Sequence, residues 1–158
     1  MPGVEEIEQG EPGAVALANA QRKARAVADG GSRVIAADTL VALDGRIFGK
    51  PADEQQARST LTALSGHTHE VVGGLWLVDG AAEQGGVVRT RVSFRRIEPA
   101  MLEWFLARGE WRGRSGGYAI QGGAAAFATG IEGDFENIVG LPLSLLLEIW
   151  PRFLVDPA

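Results

Sequence analysis

Val34-Ile35-Ala36-Ala37-Asp38-Thr39-Leu40-Val41-Ala42-Leu43-Asp44-Gly45-Arg46-Ile47-Phe48-Gly49-Lys50-Pro51 decides how the rest of the chain is read. A short apolar run leads into Asp38, which predicts a buried strand over 33–37 with the carboxylate at its end. Residues 41–48 read as a hairpin turned at Asp44-Gly45, a dipeptide that accepts positive φ at both central positions. Gly49-Lys50-Pro51 follows as a flexible joint, a cation and a rigid turn. The hairpin is expected to bring Asp38 and Lys50 together. Such a pair suits a metal-bound, negatively charged substrate such as a nucleotide.

Upstream, residues 1–12 look irregular, with Glu5, Glu6, Glu8 and Glu11 exposed. Leu17, Ala20, Ala24, Val27 and Ala28 recur at helical spacing, which predicts a helix over 13–29 that Gly30-Gly31 stops. Downstream, Asp53 is placed to cap a helix that buries Ala57, Leu61 and Leu64 and ends at Ser65-Gly66. A valine-rich strand over 68–78 precedes a loop that starts at Asp79-Gly80 and ends at Gly85-Gly86. Val88, Thr90, Val92 and Phe94 alternate with Arg89, Arg91, Ser93 and Arg95, the signature of a half-buried strand. Pro99 opens a helix to about Ala107. Residues 109–117 form a polar, glycine-rich loop, 124–131 a strand, and Pro142 starts a last helix that Pro151 disrupts. Strands alternating with helices predict a single α/β domain over residues 1–158, with a mixed, twisted sheet flanked by helices.

The chain has 158 residues, 46% of them hydrophobic, enough for one domain with a proper core. Its net charge of −5 and lack of a basic tract argue against a nucleic-acid polymer as partner. With 0 cysteines it has no disulfide, thiolate zinc site or cysteine nucleophile, which fits a reducing compartment. No apolar run approaches the ~20 residues of a membrane-spanning helix, and the acidic start does not read as a signal peptide. The 22 glycines predict many tight turns, or backbone close to a ligand.

Lys23 lies in Gln21-Arg22-Lys23-Ala24-Arg25, a pattern that usually marks a solvated helix face. His67 and His69 share one side of a strand and could ligate metal, yet with only Glu70 nearby they read as structural. Gln121, between apolar residues and a glycine pair in Tyr118-Ala119-Ile120-Gln121-Gly122-Gly123, could read a base edge, since an amide both donates and accepts. Asp134 reads as a turn residue. Rossmann and P-loop glycine patterns are absent.

Taken together, these segments resemble the Maf-like nucleoside triphosphate pyrophosphatases, over residues 3–154. The resemblance rests on Ala37-Asp38-Thr39 through Gly49-Lys50-Pro51, Leu64-Ser65-Gly66 with His69, and Thr90-x-Val-x-Phe94. It continues in Gly117-Tyr118-Ala119-Ile120-Gln121-Gly122, Gly133-Asp134-Phe135 and Val139-Gly140-Leu141-Pro142. It implies cleavage of a nucleoside triphosphate between the α and β phosphates, with a divalent cation, Mg²⁺ or Mn²⁺, as cofactor. It makes Asp38 the general base, matches Glu6, Lys23 and Lys50 to positions that hold metal or phosphates, and gives Asp38 a share in the metal. Thr39 and Gln121 match positions of the branch that prefers dTTP and UTP over 7-methyl-GTP. It further implies a cytoplasmic enzyme whose partners are a small nucleotide and, as in many members, a second copy in a homodimer. The alternative is a catalytically impaired nucleotide-binding or septum-related regulatory protein.

The chain departs from the family pattern in three places. An opening strand and a Ser-x-Ser-Pro-Arg-Arg phosphate-binding turn, expected upstream of Glu6, are not in these residues. Gly113-Arg114-Ser115-Gly116-Gly117 replaces Asp-Lys-Ala-Gly-Ala, and Gly73-Gly74 replaces Thr-Gly. The first departure implies a late start codon, or a domain that has decayed or been repurposed. The expectation is that the 158 residues alone are N-terminally incomplete, poorly stable and nearly inactive, with Ile35 and Leu40 partly exposed.

Overall fold

A computed structural model describes residues 3–155. Helix α1, Pro12–Val27, begins where the Glu11 side chain accepts a hydrogen bond from the Ala14 N–H. Strand β1, Val34–Leu43, turns through Asp44 and Gly45 into β2, Arg46–Phe48. Both turn residues have positive φ, 50° and 78°, as this hairpin demands. Helix α2, Glu54–Leu64, is capped by Asp53, whose carboxylate accepts from the Gln56 N–H at 2.8 Å. Strands β3, Thr68–Asp79, and β4, Ala82–Phe94, form one long hairpin. Helix α3, Pro99–Ala107, and β5, Ala128–Glu132, follow, then two short helices, α4, Phe135–Val139, and α5, Leu143–Ile149.

The five strands lie in the order β2-β1-β3-β4-β5. Every pairing among the described residues is antiparallel, so the expected mixed sheet is corrected to an antiparallel one. Two of these pairings are tight hairpins, and a tight turn can only return a strand antiparallel to itself.

Alternation along the strands sorts the core onto two faces. Leu40, Ala42 and Val72 pack under Val15 and Ala16 of α1. Val41, Val71, Val92 and Phe94 look the other way, toward Leu61 and Leu64 of α2 and Phe105 of α3. The interlocked rings of Phe94, Phe127 and Phe105 fill that larger core. Leu40, expected to be partly exposed, is 5% exposed because α1 covers it, whereas Ile35 is half-buried.

Two other boundaries are also corrected. Gly85-Gly86 does not end a loop; both glycines lie inside β4. A Cβ on Gly85 would stand 2.4 Å from the Trp76 ring, and one on Gly86 would stand 3.1 Å from Leu145. The glycines make room for neighbours rather than bend the chain. The strand expected from 124 begins only at Ala128, because Gly123–Ala126 winds into a 3-10 turn. No helix among the described residues is long and apolar enough to cross a membrane.

Candidate active site

Asp38 lies in the middle of β1, not at a strand end, because β3 pairs with β1 on both sides of it. Its register partner is Gly74. The missing side chain there lets the α1 backbone approach until a Cβ would stand 2.2 Å from the Ala16 carbonyl. The carboxylate therefore meets residues one and two turns further along α1. Asn19 Nδ2 donates to Asp38 Oδ2 at 3.1 Å, and Lys23 Nζ lies 2.5 Å from Oδ1. Asp38 is 9% exposed.

Asn19 has a second task that sequence reasoning missed. Its amide donates to the Ile7 carbonyl at 3.0 Å and accepts the Ile7 N–H at 2.8 Å. That two-way clasp fixes a segment without regular structure, and with it Glu6. Glu6, expected exposed, lies 2.7 Å from Lys23 and 3.4 Å from Lys50. The available signal was a polar residue on the apolar face of α1, between Val15, Ala16 and Ala20. Asp38, Lys23, Glu6 and Lys50 thus form one alternating chain of charges.

The expected Asp38–Lys50 pair is corrected. Asp38 faces α1, where Asn19 and Lys23 take its oxygens, and Lys50 pairs with Glu6 instead. Lys23 is not a solvated surface lysine. Burial alone would lower its pKa, but hydrogen bonds to Asp38 and Glu6 outweigh burial and raise it, so the ammonium stays charged. The hydrogen bond from Lys23 holds Glu6 below the usual carboxylate range against the opposing effect of burial.

These groups line a cleft of about 1150 Å³ together with Thr39, Lys50 and Gln121. Asp38 and Thr39 are consecutive and face opposite sides of the sheet. Both reach the cleft because β2 pairs only with Val41, Ala42 and Leu43, leaving β1 beyond them as the rim among the described residues. Gln121 is exposed and lines the same cleft. Its loop is anchored by Tyr118, whose hydroxyl lies 2.7 Å from His69 Nε2, and by the Gly123 N–H donating to Glu110 at 2.6 Å.

The histidines take the structural reading. His67 is exposed against the Ser65 carbonyl, and His69 is enclosed by Phe94 and Tyr118. Burial pushes the His69 pKa down to about 4. The folded value is below the ordinary 6.5, so protonation favours the unfolded chain. The stability held by neutral His69 is present above pH 6.5 and drains away as pH falls toward about 4. Between pH 7.5 and 4.5 the melting temperature should therefore drop further in the natural protein than in His69→Gln, as read by circular dichroism. Equal drops would show that His69 does not titrate on unfolding. Asp134 also takes its structural reading: it accepts from the Glu136 N–H at 2.9 Å and from Ser144 Oγ at 2.6 Å, tying α4 to α5.

No group of three or more metal-ligating side chains occurs among the described residues. The two carboxylates that flank Lys23 Nζ, Glu6 and Asp38, nonetheless fit a hard divalent cation. Mg²⁺ is commonly held by one or two carboxylates, with substrate phosphates and water completing its shell.

The model of the Maf-like protein family matches residues 1–153. The chain belongs to that family. It is 41% identical over 147 residues to the dTTP/UTP pyrophosphatase of Pyrococcus furiosus, a match covering 92% of this chain and 77% of that one. Against the dTTP/UTP pyrophosphatase of Anaeromyxobacter sp. it is 44% identical over 154 residues, covering 94% and 74%. The Deinococcus radiodurans protein of the same name is 43% identical over 147 residues, covering 92% and 75%. The Maf-like chain thus spans about three quarters of each of these relatives.

Proposed function

We propose that this Maf-like chain is a nucleoside triphosphate pyrophosphatase acting on dTTP and UTP. The observation that carries the reading is the buried Asp38 carboxylate, held by Asn19 and Lys23 in a cleft that also presents Thr39 and Gln121. The names of the relatives support the same chemistry. In the proposed reaction Asp38 accepts a proton from water as its oxygen bonds to the α-phosphorus. The bond from that phosphorus to the oxygen bridging to the β-phosphorus breaks, and the electron pair leaves with pyrophosphate. The nucleoside monophosphate and one proton are the remaining products.

Two lysines and two carboxylates in the charge chain cancel one another, so that chain alone offers a polyphosphate no surplus positive charge. Glu6 and Asp38 would hold a divalent cation, which when bound supplies charge stabilisation to the phosphates. Lys23 keeps both carboxylates in place, and Lys50 faces the substrate from the end of the hairpin. Thr39 and Gln121 offer a hydroxyl and an amide for a pyrimidine edge. A site built on such bonds rejects bases that leave them unpaired. The absence of cysteine supports a cytoplasmic setting, and the family resemblance supports pairing with a second copy, which sedimentation velocity would register.

Supplied with dTTP or UTP and Mg²⁺ or Mn²⁺, the protein should release pyrophosphate and the monophosphate, resolved by ion-exchange chromatography. Orthophosphate with the diphosphate would sink the assignment. Faster turnover of 7-methyl-GTP than of UTP would reverse the base preference.

A further inference from the structure

Resting on that reading, we infer that Arg114 is a binding residue for the diphosphate end of the substrate and for the leaving pyrophosphate. Five cations line the cleft: Lys23, Arg46, Lys50, Arg112 and Arg114. Four of them are engaged. Lys23 and Lys50 share Glu6, and Lys23 also pairs with Asp38. The Arg46 guanidinium stacks on Phe48 at 4.7 Å, and that of Arg112 on Trp111 at 4.6 Å. The Arg114 side chain is exposed and makes no hydrogen bond, ion pair or ring contact with any described residue.

Its backbone, in contrast, is held firmly. The Arg114 N–H donates to the Trp111 carbonyl at 3.3 Å, and the chain then enters the Ser115–Gly117 turn. Ser115 Oγ donates to the Phe48 carbonyl at 3.2 Å, and the Gly116 N–H to the Gly49 carbonyl at 3.1 Å. The acceptors belong to Phe48 and Gly49, the two residues before Lys50, so the turn after Arg114 is tied to the segment that carries Lys50. Gly116 and Gly117 have φ of 69° and 71°, and a Cβ on Gly116 would stand 2.6 Å from Val41. The turn thus seats against β1 only as glycine.

A fixed backbone carrying an uncommitted guanidinium beside Lys50 is how a site reserves charge for a ligand rather than for its own fold. Guanidinium suits phosphate because its planar fork binds two oxygens at once. The β and γ phosphates carry charge that is not spent on the attacked α-phosphorus, and pyrophosphate carries it away. The terminal phosphates therefore match the one cleft cation whose side chain no described residue pairs or stacks with.

The test is calorimetric binding of inorganic pyrophosphate, in the presence of Mg²⁺, to the natural protein, Arg114→Gln and Arg95→Gln. UMP is titrated in parallel, and UTP turnover is measured on the same samples. Arg95 is exposed and outside the cleft, so its loss controls for net charge. Arg114→Gln should weaken pyrophosphate binding at least tenfold, leave UMP binding within twofold, and melt at the natural temperature. Arg95→Gln should bind both as the natural protein does. Pyrophosphate binding within twofold of natural in Arg114→Gln overturns the inference, as does equal weakening by Arg95→Gln or equal loss of UMP. No pyrophosphate binding by the natural protein overturns it too. Absence of UTP turnover alongside Arg114-dependent pyrophosphate binding would instead strike the proposed function and leave the pyrophosphate site standing.

Discussion

Asp38→Asn is expected to slow pyrophosphate release about 10²–10⁴-fold, the range typical for loss of a positioned general base. The amide has the shape of the carboxylate, so its oxygen can still accept one hydrogen bond from α1. Its nitrogen cannot take a proton from water, and the site loses one negative charge toward a cation. Lys23 keeps Glu6 at 2.7 Å, so the ammonium is not left unpaired. The melting temperature should stay near that of the natural protein. The measurement is the initial rate of pyrophosphate release from UTP, with melting on the same preparation. A rate within threefold of natural would remove Asp38 from the role of base.

Gly74→Ala is expected to damage stability and activity together. The added Cβ would stand 2.2 Å from the carbonyl oxygen of Ala16 and 2.7 Å from the N of Leu17. Both are α1 backbone, so no side chain can swing aside, and the helix must retreat from β3. Overpacking of this kind costs about 3 kcal/mol, or about 6–12 °C of melting temperature for a domain of this size. The same retreat carries Asn19 and Lys23 away from Asp38, so turnover should fall beyond what unfolding explains. Gly130→Ala is the control, because a Cβ there meets nothing within 4 Å. Melting of Gly74→Ala at the temperature of Gly130→Ala would refute the close approach of α1 to the sheet.

The two variants separate what could be read along the chain from what could not. Asp38 stood out because a carboxylate in an apolar run needs a reason to be there. Asp44-Gly45, Asp53 and Pro99 announced their turn and caps because those functions depend on local backbone geometry. Gly85-Gly86 misled for the same reason: glycine punctuates turns, but here it clears space for Trp76 and Leu145, which are distant in sequence. Lys23 looked like a surface lysine because its sequence neighbours are cations. Its actual neighbours, Asp38 and Glu6, are 15 and 17 residues away along the chain.

The order of residues alone determined the α/β class, most element positions, Asp38 as the central carboxylate and the resemblance that matched Glu6, Lys23, Thr39 and Gln121 to a site. The class and the element positions follow from hydrophobic period and turn chemistry, which are local, and the site matches follow from the motifs that carry the resemblance. The tertiary structure decided that the sheet is antiparallel, that Asp38 lies within a strand, and that Lys50 answers to Glu6 rather than to Asp38. It also revealed Asn19 as the clasp between the N-terminal segment and the carboxylate. The first two follow from strand pairing, whereas the charge chain and the Asn19 clasp depend on which face of β1 meets α1 and how closely. That closeness is set by a side chain absent at Gly74, on another strand, and packing across such a distance leaves no period in the sequence.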